Sequence, residues 1–187
     1  MSDAYKIHKQ DGCYYITMQI VDWIDIFTRK RYRDILIAGI NFCIQHKGLE
    51  VFAYVIMSNH AHLLVRSSNN NLSDVIRDLK RHTSRMIINS MQSEPESRMG
   101  WMLELFKKAA SQHSRNTYYQ IWTHENHAEE IYSPKFTLQK IKYIHDNPVR
   151  AGIVARAEDY MYSSARNYSG KDNIINVTKI NLSLLMS

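Results

Sequence analysis

The sequence predicts an α+β sandwich built on an antiparallel sheet, and three observations carry that expectation. Hydrophobic residues make up 44% of a 187-residue chain, enough to bury one core without disulfide or metal staples. Short β-branched and aromatic runs alternate with stretches of helical periodicity. Their order is β, α, β, β, α, β, α, and the first six match the split βαβ arrangement of ferredoxin-like folds, followed by a C-terminal helix.

GCYYITMQI, residues 12–20, is the first strand. Ile35, Ala38, Gly39, Phe42 and Cys43 then recur at helical spacing until Lys47 and Gly48 stop the helix. LEVFAYVIM, residues 49–57, reads as the second strand, and HAHLLVRS, residues 60–67, as the third, joined as a hairpin at Ser58 and Asn59. From Leu72 the stripe Leu72, Val75, Ile76, Leu79, Thr83, Met86 and Ile87 predicts an amphipathic helix, with Asn71 and Asp74 suited to its N-terminus. A break at SEPES precedes a second helical piece from Met99 to Ala110, and a fourth strand is expected within YYQIWTHENHAEEIY, residues 118–132. Ser133 and Pro134 offer an N-cap and a first-turn proline for a last helix expected to end just before Pro148. Residues 1–187 thus read as a single domain, in which 169–187 form a C-terminal tail apolar enough to dock. The stretch from Ser90 to Gln120 carries no motif.

Composition narrows the function. Cys13 and Cys43 form no C-x-x-C pair, which argues against a disulfide framework or structural zinc and fits a reducing cytoplasm. The N-terminus is polar, and no apolar run approaches the roughly 20 residues of a membrane helix. A net charge of +6 favours polyanionic partners. Arg29, Lys30, Arg31 and Arg33 crowd the expected helix start, where the dipole disfavours each by roughly some tenths of a kcal/mol and a phosphate backbone would compensate. Arg77, Lys80, Arg81 and Arg85 line the polar face of the helix from Leu72. The first set reads equally as a solvated basic turn, and the second, taken alone, reads rather as a solvated helix face.

VIMSNHAHLLV, residues 55–65, sets two imidazoles in an apolar run. On a strand, residues i and i+2 share a face, so His60 and His62 project together and make half of a metal site. A chain with nine histidines yields an H-x-H by chance roughly 0.4 times, so the pair needs a partner to mean anything. LQKIKYIHDNPVRAG, residues 138–152, offers one: Gln139, Tyr143 and Asn147 recur every four residues, beside an apolar face of Leu138, Ile141 and Ile144. If that polar side meets the histidines, His60, His62 and Asn147 could hold one cation, with Tyr143 aimed at a phosphate bound to it.

Together SNHAHLL and YIHDNPVRAG resemble the REP-associated tyrosine transposases, IS200-like members of the HUH single-strand endonucleases, and EDYMYSSARNY resembles the segment that follows the tyrosine helix there. The likeness runs from about Tyr5 to Tyr168. It implies His60 and His62 as metal ligands, Asn147 as the polar ligand and Tyr143 as the nucleophile, with Mg2+ or Mn2+ as cofactor. Departures are Ser58, where such proteins often have proline, and Ala61, a small residue between the histidines. The implied activity is cleavage and rejoining of single-stranded DNA at hairpin or repeat ends through a 5′-phosphotyrosine, as in DNA transposition. A phenol ionises near pH 10, so a cation on the scissile phosphate suits the chemistry. Homodimer formation stays open. The rival from another class is a non-enzymatic single-strand nucleic-acid binder, with Tyr14, Tyr15 and Tyr54 on an open sheet.

Overall fold

The computed structural model describes residues 6–112, 118–172 and 174–181. Its strands β1 (Tyr14–Gln19), β2 (Leu49–Ile56), β3 (His60–Ser67) and β4 (Glu129–Glu130) form one antiparallel sheet in the order β2-β3-β1-β4. With α1 (Lys30–His46) between β1 and β2, and α2 (Leu72–Ser93) and α3 (Met99–Ser111) between β3 and β4, this is the split βαβ order. Helix α4 (Pro134–Arg150) and a short α5 (Ala165–Tyr168) follow.

Alternation divides the sheet into two faces. Tyr14, Ile16, Met18, Ala61, Leu63 and Val65 point to one side and join Leu36 and Ile40 of α1 and Leu72, Val75, Ile76 and Leu79 of α2 in the main core. Gly39 allows these two helices to close, since a Cβ there would lie 2.9 Å from Leu79 Cδ1. On the other face Tyr15, Ala53, Val55 and Leu64 meet Ile141 and Ile144 of α4 in a smaller core. The same parity sends His60 and His62 to the α4 side.

Two expectations need correction. Helix α4 does not stop before Pro148 but continues to Arg150, with Pro148 buried in its last turn. Proline forfeits only its own N–H there, while Ala151 N–H still reaches Asn147 O (3.0 Å) and Ile153 N–H reaches Pro148 O (2.9 Å). Gly152, at φ +70°, turns the chain away. The fourth strand is only two residues long; the stretch before it runs irregularly beside β1, where Thr17 N–H donates to Asn126 O (2.7 Å) and Thr123 N–H to Gln19 O (2.8 Å).

The opposite edge, β2, is also covered. Ile56 N–H donates to Tyr162 O, Ser164 N–H to Tyr54 O and Thr178 N–H to Val51 O, each at 2.9 Å. The described part of the tail therefore has a place: Ile175 is buried in the main core, and Asn41 holds the Ile174 carbonyl at 2.9 Å. Residues 182–187 of the tail lie outside the described residues, as does the stretch 113–117. Among the described residues no helix is long and apolar enough to cross a membrane.

Candidate metal and nucleophile site

His60 and His62 lie side by side on β3, ring centroids 4.7 Å apart, opposite Gln19 and Thr17 of β1. Each imidazole is oriented through its Nδ1. Asn59 Nδ2 donates to the Trp23 carbonyl (3.1 Å), which turns Asn59 Oδ1 toward His60. An amide oxygen only accepts, so His60 Nδ1–H donates to it at 2.7 Å and Nε2 keeps its lone pair. His62 Nδ1 sits 2.8 Å from Tyr15 Oη and 2.9 Å from Thr17 Oγ1, and the Thr17 hydroxyl donates to Tyr15 Oη, leaving both oxygens able to accept the Nδ1 proton. Burial lowers the tendency of both rings to take up a proton; for His62, with His60 and Lys140 adding to it, the value falls to about 3. Neutral imidazoles that keep their protons on Nδ1 and offer Nε2 are a donor set that suits a divalent cation.

Tyr143 meets this pair from α4. Its ring is 5.5 Å from His62 and 6.1 Å from Tyr15, edge-on to both, while its face remains 38% exposed. The Arg150 guanidinium lies 5.1 Å from the Tyr143 ring centroid. Asn147, one turn beyond Tyr143, is half-buried and its side chain makes no hydrogen bond to the described residues. Among those residues no cluster of three or more His, Cys, Asp or Glu exists, so a cation on the histidines needs an amide, water or phosphate oxygen to complete its shell. The residues present fit magnesium or manganese on those terms.

The paired serines clamp α4 in place. Ser164 Oγ donates to Tyr54 O (3.2 Å) and accepts from Tyr54 N–H (2.9 Å), and with both roles filled it accepts from His145 Nε2–H at 2.8 Å. His145, on the tyrosine helix, is thereby tied to edge strand β2.

The basic residues divide. Around α1, Arg31 pairs with Glu94 (3.5 Å) and Glu96 (3.1 Å), Arg29 approaches Glu96 (3.7 Å), Lys30 pairs with Asp34 and Arg33 covers the Tyr162 ring at 3.9 Å. The structure gives these cations internal partners. Arg77, Lys80, Arg81 and Arg85 instead line a groove of about 710 Å³ between α2 and residues 118–126, with Tyr118 and Tyr119 on its rim. Arg77 is held by Asp74 and Asp78, and Lys80 Nζ donates to Thr123 O at 2.9 Å. Among the described residues Arg85 has no ion pair and Arg81 has only a 3.7 Å approach to Asp78. Tyr14, Tyr15 and Tyr54 are 1%, 5% and 1% exposed, so they form no open stacking platform.

The roles of Asn59, Tyr15, Thr17 and Arg150 beside the histidines and Tyr143, and the Ser164–His145 tie, were not read from the sequence. Only the position of Asn59 next to His60 was a usable signal, because the others depend on strand register or on chain segments far apart.

An antiparallel sheet with a histidine pair beside a helix-borne tyrosine defines an α+β protein with a candidate metal and nucleophile site. A solved REP-associated tyrosine transposase, bound to a REP hairpin in its structure, superposes with a TM-score of 0.64 at 18% identity, covering 97% of this chain and 96% of that one. The likeness shows the shared fold. The family described as "Transposase IS200 like" matches residues 13–117. This chain belongs to the IS200-like transposase family. No curated protein matches it.

Proposed function

We propose that the protein is a metal-dependent single-stranded DNA endonuclease and strand transferase, a single cytoplasmic domain that cuts beside hairpin or repeat ends through a 5′-phosphotyrosine. The observation that carries this reading is the convergence of His60, His62 and Tyr143 from β3 and α4. Mg2+ or Mn2+ held by His60, His62 and Asn147 would polarise the scissile phosphate and offset charge in the transition state, manganese being the better match to two imidazoles.

Tyr143 Oη attacks phosphorus as the bond to the 3′ oxygen breaks; the phenol proton passes to water and the departing 3′ oxygen gains one. A cation–π contact from the Arg150 guanidinium helps to hold the Tyr143 ring in place. Because the phosphotyrosine conserves the phosphodiester, a second 3′-hydroxyl reverses the step and joins new ends without ATP. The groove lined by Arg77, Lys80, Arg81 and Arg85 suits a DNA backbone, and the hairpin held by the related transposase supports hairpin DNA as the partner. Within the groove Arg81 and Arg85 are exposed and the least engaged by internal partners, and these two carry the expected backbone contacts.

The test is incubation with single-stranded hairpin oligonucleotides and Mn2+, followed by a denaturing gel. Wild type gives a protein–DNA band that survives boiling in detergent. Tyr143→Phe folds and binds but gives none, and a wild-type yield of adduct from Tyr143→Phe refutes the assignment.

A further inference from the structure

The site lies within a continuous line of rings and cations that ends in an exposed aromatic on each side. Trp23 stands edge-on to His60 at 6.0 Å and is 59% exposed. His60 contacts His62 at 4.7 Å, and His62 contacts Tyr143 and Tyr15 at 5.5 and 5.4 Å. The Lys140 ammonium sits 4.2 Å from the Tyr15 ring and 5.1 Å from that of Phe136. Phe136 stacks on Tyr132 at 4.8 Å, and Tyr132 is 79% exposed.

Neither terminal ring serves the core. Tyr132 precedes the Ser133 cap, where an apolar contact across a helix start normally buries its rings, yet this one leaves its outer face open. Trp23 is held out by a strained backbone, since Asp22 and Trp23 both adopt positive φ, 51° and 56°. The Asn59 side chain, which orients His60, pins that turn through the Trp23 carbonyl. Strain of this kind persists where surrounding contacts over-determine it, and it clusters at ligand sites.

We infer that Trp23 and Tyr132 are base-stacking platforms that hold a single strand on the two sides of the scissile phosphate, so that the strand crosses the site along α4. The inference rests on the single-strand substrate proposed above. Stacking on aromatic faces is tolerant of sequence, and cations on the same helix complement the backbone: Arg150 closes the line over Tyr143, and Lys135 and Lys142 of α4 are exposed. Lys140, already paired with Glu129 at 2.7 Å, acts mainly to space the rings.

The experiment uses the full chain carrying Tyr143→Phe, so that binding is measured without cleavage, and an oligothymidine as probe with Mg2+. Trp23→Ala and Tyr132→Ala should each weaken binding roughly five-fold or more, while Trp23→Phe and Tyr132→Phe keep most of the affinity. In a Trp101→Phe background, since Trp101 is exposed as well, addition of the oligonucleotide should quench tryptophan emission, and Trp23→Phe should remove that quenching. Affinity within two-fold of the parent in either alanine variant, or quenching that survives Trp23→Phe, overturns the inference. The boiling-resistant adduct of the otherwise wild-type chain is scored separately. If it is absent while the platform variants lose affinity, the nucleophile assignment fails and the track stands; if it forms while those variants bind normally, the reverse holds.

Discussion

Replacing Asn59 by alanine should weaken metal binding without touching a ligand. In the native site the Asn59 amide is fixed by its bond to the Trp23 carbonyl, and its oxygen takes the His60 Nδ1 proton at 2.7 Å. Without that acceptor the half-buried ring is free to move its proton to Nε2, where it blocks the lone pair offered to the cation. Losses of partners that orient metal-ligating histidines typically cost 10- to 100-fold in affinity, about 1.4–2.7 kcal/mol. Asn59→Asp is the informative contrast. A carboxylate still accepts from Nδ1, so Mn2+ affinity should stay near wild type, while loss of the donor to Trp23 should lower stability by about 1 kcal/mol. Calorimetric titration with Mn2+, paired with the Mn2+ concentration that half-saturates cleavage, reads the first effect, and urea unfolding reads the second. The backbone carbonyl of Asn59, which accepts from Ile20 N–H at 2.9 Å, is unchanged in both variants. An alanine variant that binds Mn2+ within two-fold of wild type, or an aspartate variant as weak as alanine, refutes the argument.

Two further outcomes follow from contacts described above. Ser164→Ala leaves the Tyr54 N–H and His145 Nε2–H without their acceptor in a buried seam, and should cost on the order of 2–6 kcal/mol in urea unfolding at about one to three per orphaned group; a loss below about 0.5 kcal/mol would show that the clamp is not structural. Arg85→Ala should reduce the salt dependence of single-strand binding by about 0.7 in the log–log slope, whereas Arg77→Ala, already neutralised by Asp74 and Asp78, should reduce it less. Equal slopes for both variants would remove the groove from the DNA-binding surface.

What was legible in the sequence was whatever depended on local period. HAHLLVRS is a strand over its full expected length, because its alternation is reinforced by pairing on both sides. The common face of His60 and His62 follows from a period of two, and the nearness of Tyr143 from one helical turn meeting that face. The partners of the basic run at α1 were not legible, since Glu94 and Glu96 lie more than sixty residues away and only the tertiary fold brings them to Arg31. Pro148 misled because a proline removes one i→i−4 bond from a helix, and here the bonds of Ala151 to Asn147 and of Ile153 to Pro148 hold the final turn in spite of that loss. The aromatic character of residues 118–132 suggested a strand, but Trp122 spends its ring in the core and its indole N–H on Thr83.

The two covered edges of the sheet bear on how copies of the chain can meet. Strand addition needs an unpaired ladder, and along β2 the carbonyls of Val51 and Tyr54 and the N–H of Ile56 are already bonded by residues 162–164 and 178. At the far side β4 presents two glutamates, Glu130 paired with Lys9 and Glu129 with Lys140, on a strand too short to template another. Charge and brevity there, and occupied hydrogen bonds opposite, disfavour both an intermolecular sheet and edge-to-edge aggregation during folding. Any lasting self-association of this chain would have to be built from helical or loop surfaces, so oligomeric state and fibril propensity are set independently of the sheet that carries the histidines.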